Sequence, residues 1–481
     1  MWYSPSVFAK NAIFPEGTVM KEQAKDKKTL IGKINPDVLR FTVGDDPVLD
    51  RKLTVWDCLG SAAHAATLAA LKVKPAVITK AERDAVIAEL VQIIRDAEAG
   101  SFEITEADQD VHLAIERRLT ERLGDLGRKI HTGRSRNDQV AVDIRLHLKD
   151  GLLGLTGEVA ALAEALVKFA RRHVAVPMVG RTHLQPAMPS TVGMWASGYA
   201  EMLLDDLPAV EAAYVVNDLC PLGSAAGYGV PLPLDRILTA RLLGFARPLH
   251  NVFYASCARG KDEAAALSAC AQIMVSLSRL AQDLILFSMP EFGYFTLPRE
   301  MCTGSSIMPQ KYNPDVLELI RAKAARVQSC ANAVAGILTA MPGGYNRDLQ
   351  DTKGLYMEGL ETTRASLRIL ALLVASVTVN RDRLRAGFIP GVFATDRALE
   401  LVAGGMPFRD AYQQIRSHLE DLTAADPDAA VAAKTSWGDT NGLDFDFYRD
   451  KIHAVRSWVA ERRNHAYRAF SKLLGTKFPL A

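Results

Sequence analysis

Apolar residues recur at positions 152, 155, 159, 162, 166 and 169 of this chain, and again at 267, 270, 274, 277, 281, 284 and 287. Steps of three and four residues put side chains on one face of an α-helix. Leu152 to His173 and Lys261 to Met289 are therefore predicted to be long helices with one apolar stripe each. Pro314 to Met341 and Met357 to Val379 continue the pattern. A helix of about 25 residues is about 40 Å long, and helices of that length belong to bundles whose surface is shared with partner subunits. Period-two alternation is nearly absent. The fold class is mainly α.

Shorter runs surround this bundle. Val55 to Ala99 reads as two helices broken at Lys74-Pro75, since proline disfavours helix in the residue before it. Asp108 to Gly124 reads as another, and a helix is expected from Val140. After Arg385 the runs shorten, punctuated by Gly387, Pro390, Gly404, Gly405 and Pro407. The expected division is an N-terminal helical domain over 1–135, a central long-helix domain over 136–385 and a small C-terminal helical domain over 386–481. A chain of 481 residues has room for about three domains. Asn464 to Ala481 is expected to be a helix end followed by extended chain.

Lysine and arginine number 57 against 55 aspartates and glutamates, scattered rather than blocked, so nucleic acid is not an expected partner. The six cysteines form no Cys-x-x-Cys and no paired zinc spacing, which reads as reduced thiols of an intracellular protein. Met1-Trp2-Tyr3-Ser4-Pro5 has neither a basic nor an apolar leader region, and no uninterrupted apolar run approaches the roughly 18 residues of a membrane span. A soluble, cytoplasmic protein is expected.

Four segments carry chemistry. In Thr303-Gly304-Ser305-Ser306-Ile307-Met308-Pro309-Gln310-Lys311-Tyr312-Asn313-Pro314, glycine and proline forbid a regular helix, so a shaped loop must feed the helix that follows. It offers a hydroxyl, a fixed positive charge and an amide, with Glu318 one turn into the helix. Taken alone it is also an ordinary helix-entry loop. In Gly180-Arg181-Thr182-His183-Leu184-Gln185-Pro186, a histidine sits in a proline-bounded segment, as either an acid–base group or a structural residue. His131-Thr132-Gly133-Arg134-Ser135-Arg136-Asn137-Asp138-Gln139 precedes a helix and could bind an anion, or be a solvated capping turn. Two arginines before a helix start, where positive charge is unfavourable, favour the anion. Tyr345-Asn346-Arg347-Asp348-Leu349-Gln350-Asp351-Thr352-Lys353 follows Pro342-Gly343-Gly344 and reads equally as a solvated loop. Gly223-Ser224-Ala225-Ala226-Gly227-Tyr228-Gly229 lacks the order of a dinucleotide-binding loop, and no cluster with metal-ligand spacing is seen.

Together these segments resemble the fumarase/aspartase superfamily. Gly304-Ser305-Ser306-Ile307-Met308-Pro309-Gln310-Lys311-Tyr312-Asn313 matches its highly specific signature, and His131 to Gln139 is similar to the argininosuccinate lyase family within it. Pro221-Leu222-Gly223-Ser224, Asp235-Arg236, Tyr345 to Lys353 and Gly405-Met406-Pro407-Phe408-Arg409 agree, so the likeness spans roughly Phe41 to Leu419. The resemblance implies a three-domain subunit, a twenty-helix core in a homotetramer, and active sites that each draw on three subunits. It implies cofactor-free, reversible cleavage of argininosuccinate to arginine and fumarate through an aci-carboxylate carbanion, and no metal.

By the same resemblance, Ser305 is the base, and Lys311 and Asn313 hold the carboxylate on which charge accumulates. His183, hydrogen-bonded to Glu318, serves the acid side or orients a carboxylate. Ser135, Arg136, Asn137 and Thr182 bind the fumarate-side carboxylates; Tyr345, Gln350, Lys353 and Arg236 position the remaining polar groups. Three positions depart from the family pattern: the opening at Trp2-Tyr3-Ser4-Pro5, Gly44 in place of a substrate-contacting serine, and Tyr312 in place of a common lysine. Two alternatives stand beside this reading. One is a carbon–nitrogen lyase for another N-substituted aspartate of the ethylenediamine-disuccinate type; the other is a non-catalytic, crystallin-like structural protein.

Overall fold

A computed structural model describes residues 34–480; the Trp2 to Pro5 departure lies outside them. Two units divide at Asp45/Asp46. In the described part of the first, Asn35 caps helix α1 (Pro36–Val43) by accepting from the N–H of Asp37. The helix stops at Gly44, with φ 54° and ψ −135°. Only glycine adopts that backbone freely, so the serine that the resemblance places here would be strained in this chain.

The second unit holds all the remaining elements. Helices α2 (Thr54–Ala69) and α3 (Lys80–Glu98) flank the expected Lys74-Pro75 break, and α4 (Val111–Leu123) follows, capped by Asp110. Helix α5 (Arg136–Arg172) is longer than the periodicity suggested and starts four residues before Val140. It runs unbroken through Gly151, whose missing side chain admits Leu360: a Cβ there would lie 2.6 Å from Leu360 Cδ2.

A hairpin, β1 (Pro177–Thr182) with β2 (Gln185–Thr191), turns the chain into α6 (Val192–Asn217). Neither was read from the sequence. Pro186 and Pro189 hide the strand, and an isolated two-stranded ribbon tolerates them because both strands are edges. Pro208 obscures the helix, which continues through it. Helix α7 (Arg236–Leu242) is short; α8 (Lys261–Ser288), α9 (Asp315–Leu338) and α10 (Thr352–Ser376) match the predicted runs closely.

Helices α5, α6, α8, α9 and α10 pack on one another as the central bundle. Leu148, Leu152, Leu155, Leu277, Leu280, Leu284, Leu367 and Leu370 are among the side chains wholly withdrawn from water. Helix α8 is long and apolar enough to cross a membrane, but 61 % of its most apolar window is buried inside the fold. Toward the C-terminus, α11 (Ala394–Ala403) and α12 (Phe408–Ser417) pair with each other. The last helix, α13 (Phe445–Leu474), spans 30 residues and packs on α5, α2 and α6. A turn and bends follow it rather than the expected extended chain, and Phe478 closes against Trp56, Tyr467 and Phe470.

Candidate active site

The signature loop is closed at its base by a two-rung ladder: β3 (Thr303–Gly304) pairs with β4 (Tyr312–Asn313). Between them Ser305 bends the chain back, its Oγ accepting from the N–H groups of Met308 at 3.0 Å and Ile307 at 3.4 Å. Two backbone donors on one hydroxyl oxygen stabilise negative charge there, which is what a serine needs to act as a base. The Lys311 side chain is exposed, its ammonium without a hydrogen bond or ion pair to any other described residue, and Ile307 is 83 % exposed. Asn313 Nδ2 lies 3.4 Å from Thr303 Oγ1, whose hydroxyl donates to Asp315. Glu318 sits exposed on the first turn of α9.

His183 and Leu184 form the two-residue turn of the β1–β2 hairpin, with φ of 53° and 60°. Arg181 Nη1 donates to the Leu184 carbonyl at 3.1 Å and braces the turn. Thr182, His183 and Gln185 all face solvent. The expected bond between His183 and Glu318 does not form within the chain, because the two lie on separate exposed elements that do not meet.

The segment from His131 to Gln139 divides between two tasks. Ser135 caps α5, accepting from the N–H of Asn137 at 3.2 Å, and its own N–H donates to Asp138 Oδ1 at 2.9 Å. Asp138 Oδ2 then accepts from Gly223 at 2.9 Å and Ala225 at 2.8 Å, joining this turn to the Pro221–Ser224 segment. Burial pushes the Asp138 carboxyl up to about 6, against those donors. The sequence reading gave Asp138 no role; the Ser135-x-x-Asp138 spacing of a capping box was the available signal. Arg134 turns inward, donating to Ser61 at 2.9 Å and Gln139 at 3.0 Å, so only one of the two arginines faces the turn's surface. That one, Arg136, pairs with Asp110.

Arg236 opens α7 beneath the same turn, its Cγ 3.0 Å from where a Cβ on Gly223 would stand. Nη1 reaches the His250 carbonyl at 3.3 Å, while Nε and Nη2 are buried without a partner. Those two atoms form one edge of the guanidinium, the edge that takes a carboxylate bidentately. Tyr345 lies nearby in the loop before α10, with Arg259 stacked at 5.4 Å and Gly344 donating to Cys257. Gln350 closes a 3₁₀ turn. Lys353 points into the fold, where Asp46 and Asp50 hold its ammonium.

The sequence-predicted residues thus fall into three groups. Ser135, Arg136, Asn137, Arg236 and Tyr345 gather at the end of the bundle where α5 starts; Thr182 and His183 sit beyond its other end, where α5 stops; Ser305, Lys311 and Asn313 precede α9. No hydrogen bond or ion pair between described residues joins one group to another.

Residues 34–329 match the lyase family model. The chain is 46 % identical over 415 residues to the argininosuccinate lyase of Sorangium cellulosum, covering 86 % of this chain and 95 % of that one. It is 42 % identical to the argininosuccinate lyase of Xylella fastidiosa strain Temecula1, over 88 % of this chain and 94 % of that one. The chain belongs to the argininosuccinate lyase family. As a member of that family it is a carbon–nitrogen lyase. Its fold is shared with an EDDS lyase solved with formate, at TM-score 0.78 and 23 % identity over 92 % of this chain and 95 % of that one. A class II fumarase from Schistosoma mansoni aligns at TM-score 0.69 and 16 % identity, over 88 % of this chain and 97 % of that one. The ethylenediamine-disuccinate alternative is not favoured, since the argininosuccinate lyases stand far closer in sequence.

Proposed function

We propose that the chain converts argininosuccinate reversibly to L-arginine and fumarate as a cytoplasmic homotetramer, with each active site assembled from three subunits. Ser305 removes a proton from the carbon next to a succinyl carboxylate. The electron pair delocalises into that carboxylate, which becomes an aci-carboxylate dianion held by Lys311 and Asn313. The C–N bond then breaks and the electron pair leaves on the guanidino nitrogen, which is reprotonated. Donors preorganised for such charge contribute about 3 kcal/mol each in comparable oxyanion sites.

The observation that carries this reading is Ser305 Oγ under two backbone N–H groups, in a loop with an unpaired lysine. Ser135, Arg136, Asn137, Thr182, Arg236, Tyr345, Gln350 and Lys353 are proposed to bind substrate, and His183 with Glu318 to orient it or serve the acid side.

Length supports a shared site. The 37 residues of α5 span about 55 Å, far more than one argininosuccinate molecule, and the Ser135 and His183 groups lie at its opposite ends. Helix α9 supports the assembly. Of its 24 residues only Leu317, Ile320, Val327, Cys330, Ala331 and Val334 are buried, so most of its surface is free for partner helices. The same reading proposes three domains, divided at 135/136 and 385/386.

Following fumarate absorbance with Ser305→Ala is the test. Turnover should fall by about 10³-fold or more while the oligomer keeps its size. Full residual activity in that variant would remove Ser305 as the base. Absence of fumarate from argininosuccinate with the unaltered enzyme would remove the substrate.

A further inference from the structure

Beneath the turn that carries Ser135 lies a cluster that the elimination does not use. His112 on α4 is wholly buried, and its Nδ1 stands 3.1 Å from Oδ2 of the equally buried Asp57. A carboxylate can only accept, so Nδ1 donates to it and Nε2 is the ring atom left to serve as a ligand. That Nε2 is buried and has no partner. Glu116 is four residues further along the same helix, hence on the same face. His131 enters from the turn before α5, and its Nδ1, also buried and unpartnered, lies 3.8 Å from Glu116 Oε2. One ligand atom from each of the three residues lies within 4.8 Å of the others.

We propose that His112, Glu116 and His131 form a binding site for a divalent transition-metal ion of the zinc or cobalt class. Two imidazoles and a carboxylate are the donor set such ions take, with a fourth position left for water. Metal–ligand bonds of about 2.0–2.2 Å place tetrahedral ligands about 3.4 Å apart, so ligand atoms up to 4.8 Å apart must close by as much as about 1.4 Å. His112 cannot move, but His131 and Glu116 are 40 % and 31 % exposed and can close on it. Asp57 supplies the outer carboxylate that typically orients a metal-bound histidine, and it is itself fixed by the Ser61 hydroxyl at 3.0 Å.

Neighbouring charges are compatible with a cation. Arg134 opposes it, but Arg134 is faced by the carboxylates of Asp57, Asp138, Glu116 and Asp143. His64 already engages one ring nitrogen, its Nε2 donating to the Thr132 carbonyl at 3.0 Å. The sequence hid the site because its third ligand lies 15 positions after Glu116, across a helix end and a turn. An ion here would tie α4 to the turn that holds Ser135, Arg136 and Asn137.

The test is to strip the purified full chain with chelator and titrate it with Co²⁺ alone and with Zn²⁺ alone. Calorimetry, visible absorption of Co²⁺ and thermal denaturation are the readouts. The expected result is one ion per chain, a tetrahedral Co²⁺ spectrum and a raised Tm. Affinity should fall at least about tenfold in His131→Gln and in Glu116→Gln, both partly exposed and checked for folding by circular dichroism, and about 10- to 100-fold in Asp57→Asn. Uptake by the wild type no greater than that of the Glu116→Gln/His131→Gln double variant would overturn the site.

Discussion

Nζ of Lys353 lies 2.5 Å from Oδ1 of Asp50, with both side chains at most 2 % exposed. Asp46 shares the ammonium at 2.8 Å, and the second oxygen of Asp50 accepts the N–H of Val111 at the start of α4. One lysine thus fixes the start of α10 to the chain before α2 and, through Asp50, to α4. Burial pushes Asp50 up to about 6 even with Lys353 beside it. Lys353→Met would leave two carboxylates inside the fold without a counter-charge, at a cost of about 3–5 kcal/mol. Denaturant unfolding should show that loss alongside any loss of activity. A variant with unaltered stability would place Lys353 in substrate binding alone.

His147 gives the fold an acid sensitivity. It faces Tyr356 at 3.4 Å from α5, with Asp150, Glu361, Lys52 and Arg364 as its charged neighbours, and burial lowers it from 6.5 to about 4. As pH falls the unfolded chain takes up this proton first, so the contribution is whole above pH 6.5 and is lost as pH falls toward 4. The expected loss between pH 7 and pH 5 is about 2 kcal/mol. Denaturation midpoints at both pH values should differ accordingly, and His147→Gln should lessen the difference.

The bundle was legible because its helices bury one stripe each, which leaves a period of three and four in the sequence. Helix α6 was not, because thirteen of its positions are buried around much of its circumference and Pro208 interrupts it. A helix buried on several faces has no stripe to detect. The signature loop was legible as a loop from Gly304, Pro309 and Pro314, but the Ser305 hydrogen bonds depend on its conformation. His183 could be flagged as a candidate, whereas its separation from Glu318 could not be read, since that depends on where the hairpin and the helix that carries Glu318 lie in the fold. Arg134 was read as part of an anion-binding turn and Lys353 as a substrate-positioning group, and only packing shows that both turn inward.

Gly193 opens α6 hard against the end of α5. A Cβ there would stand 2.6 Å from Val174 Cα and 3.0 Å from the Ala170 carbonyl, backbone atoms that cannot swing aside. Gly193→Ala should destabilise by about 1–3 kcal/mol, measured by denaturant unfolding. Because the β1–β2 hairpin is anchored at this junction, KM should rise in the same variant.

If the site is shared, two inactive chains should repair each other. Ser305→Ala and Arg236→Ala change different groups, so a mixed oligomer contains some sites in which both native residues meet. Unfolding and refolding the two variants together should restore a measurable fraction of fumarate production, while each refolded alone stays inactive. No recovery in a mixed oligomer of native size would show that the two residues act within one subunit.

Lys311→Met should lower kcat by about 10²–10³-fold with little change in stability, since the ammonium contacts no other described residue. Steady-state kinetics beside a melting curve would separate the two effects.

The His183–Leu184 turn carries an evolutionary cost. Two consecutive left-handed residues make a hairpin turn for which Asn-Gly is the natural choice, yet this chain places an imidazole and a bulky leucine there, 70 % exposed in the case of Leu184. Selection for thermal endurance alone would replace both. Laboratory evolution of this enzyme toward heat resistance should therefore drift to Asn-Gly at this tip whenever activity is not screened, and stop short of it whenever activity is.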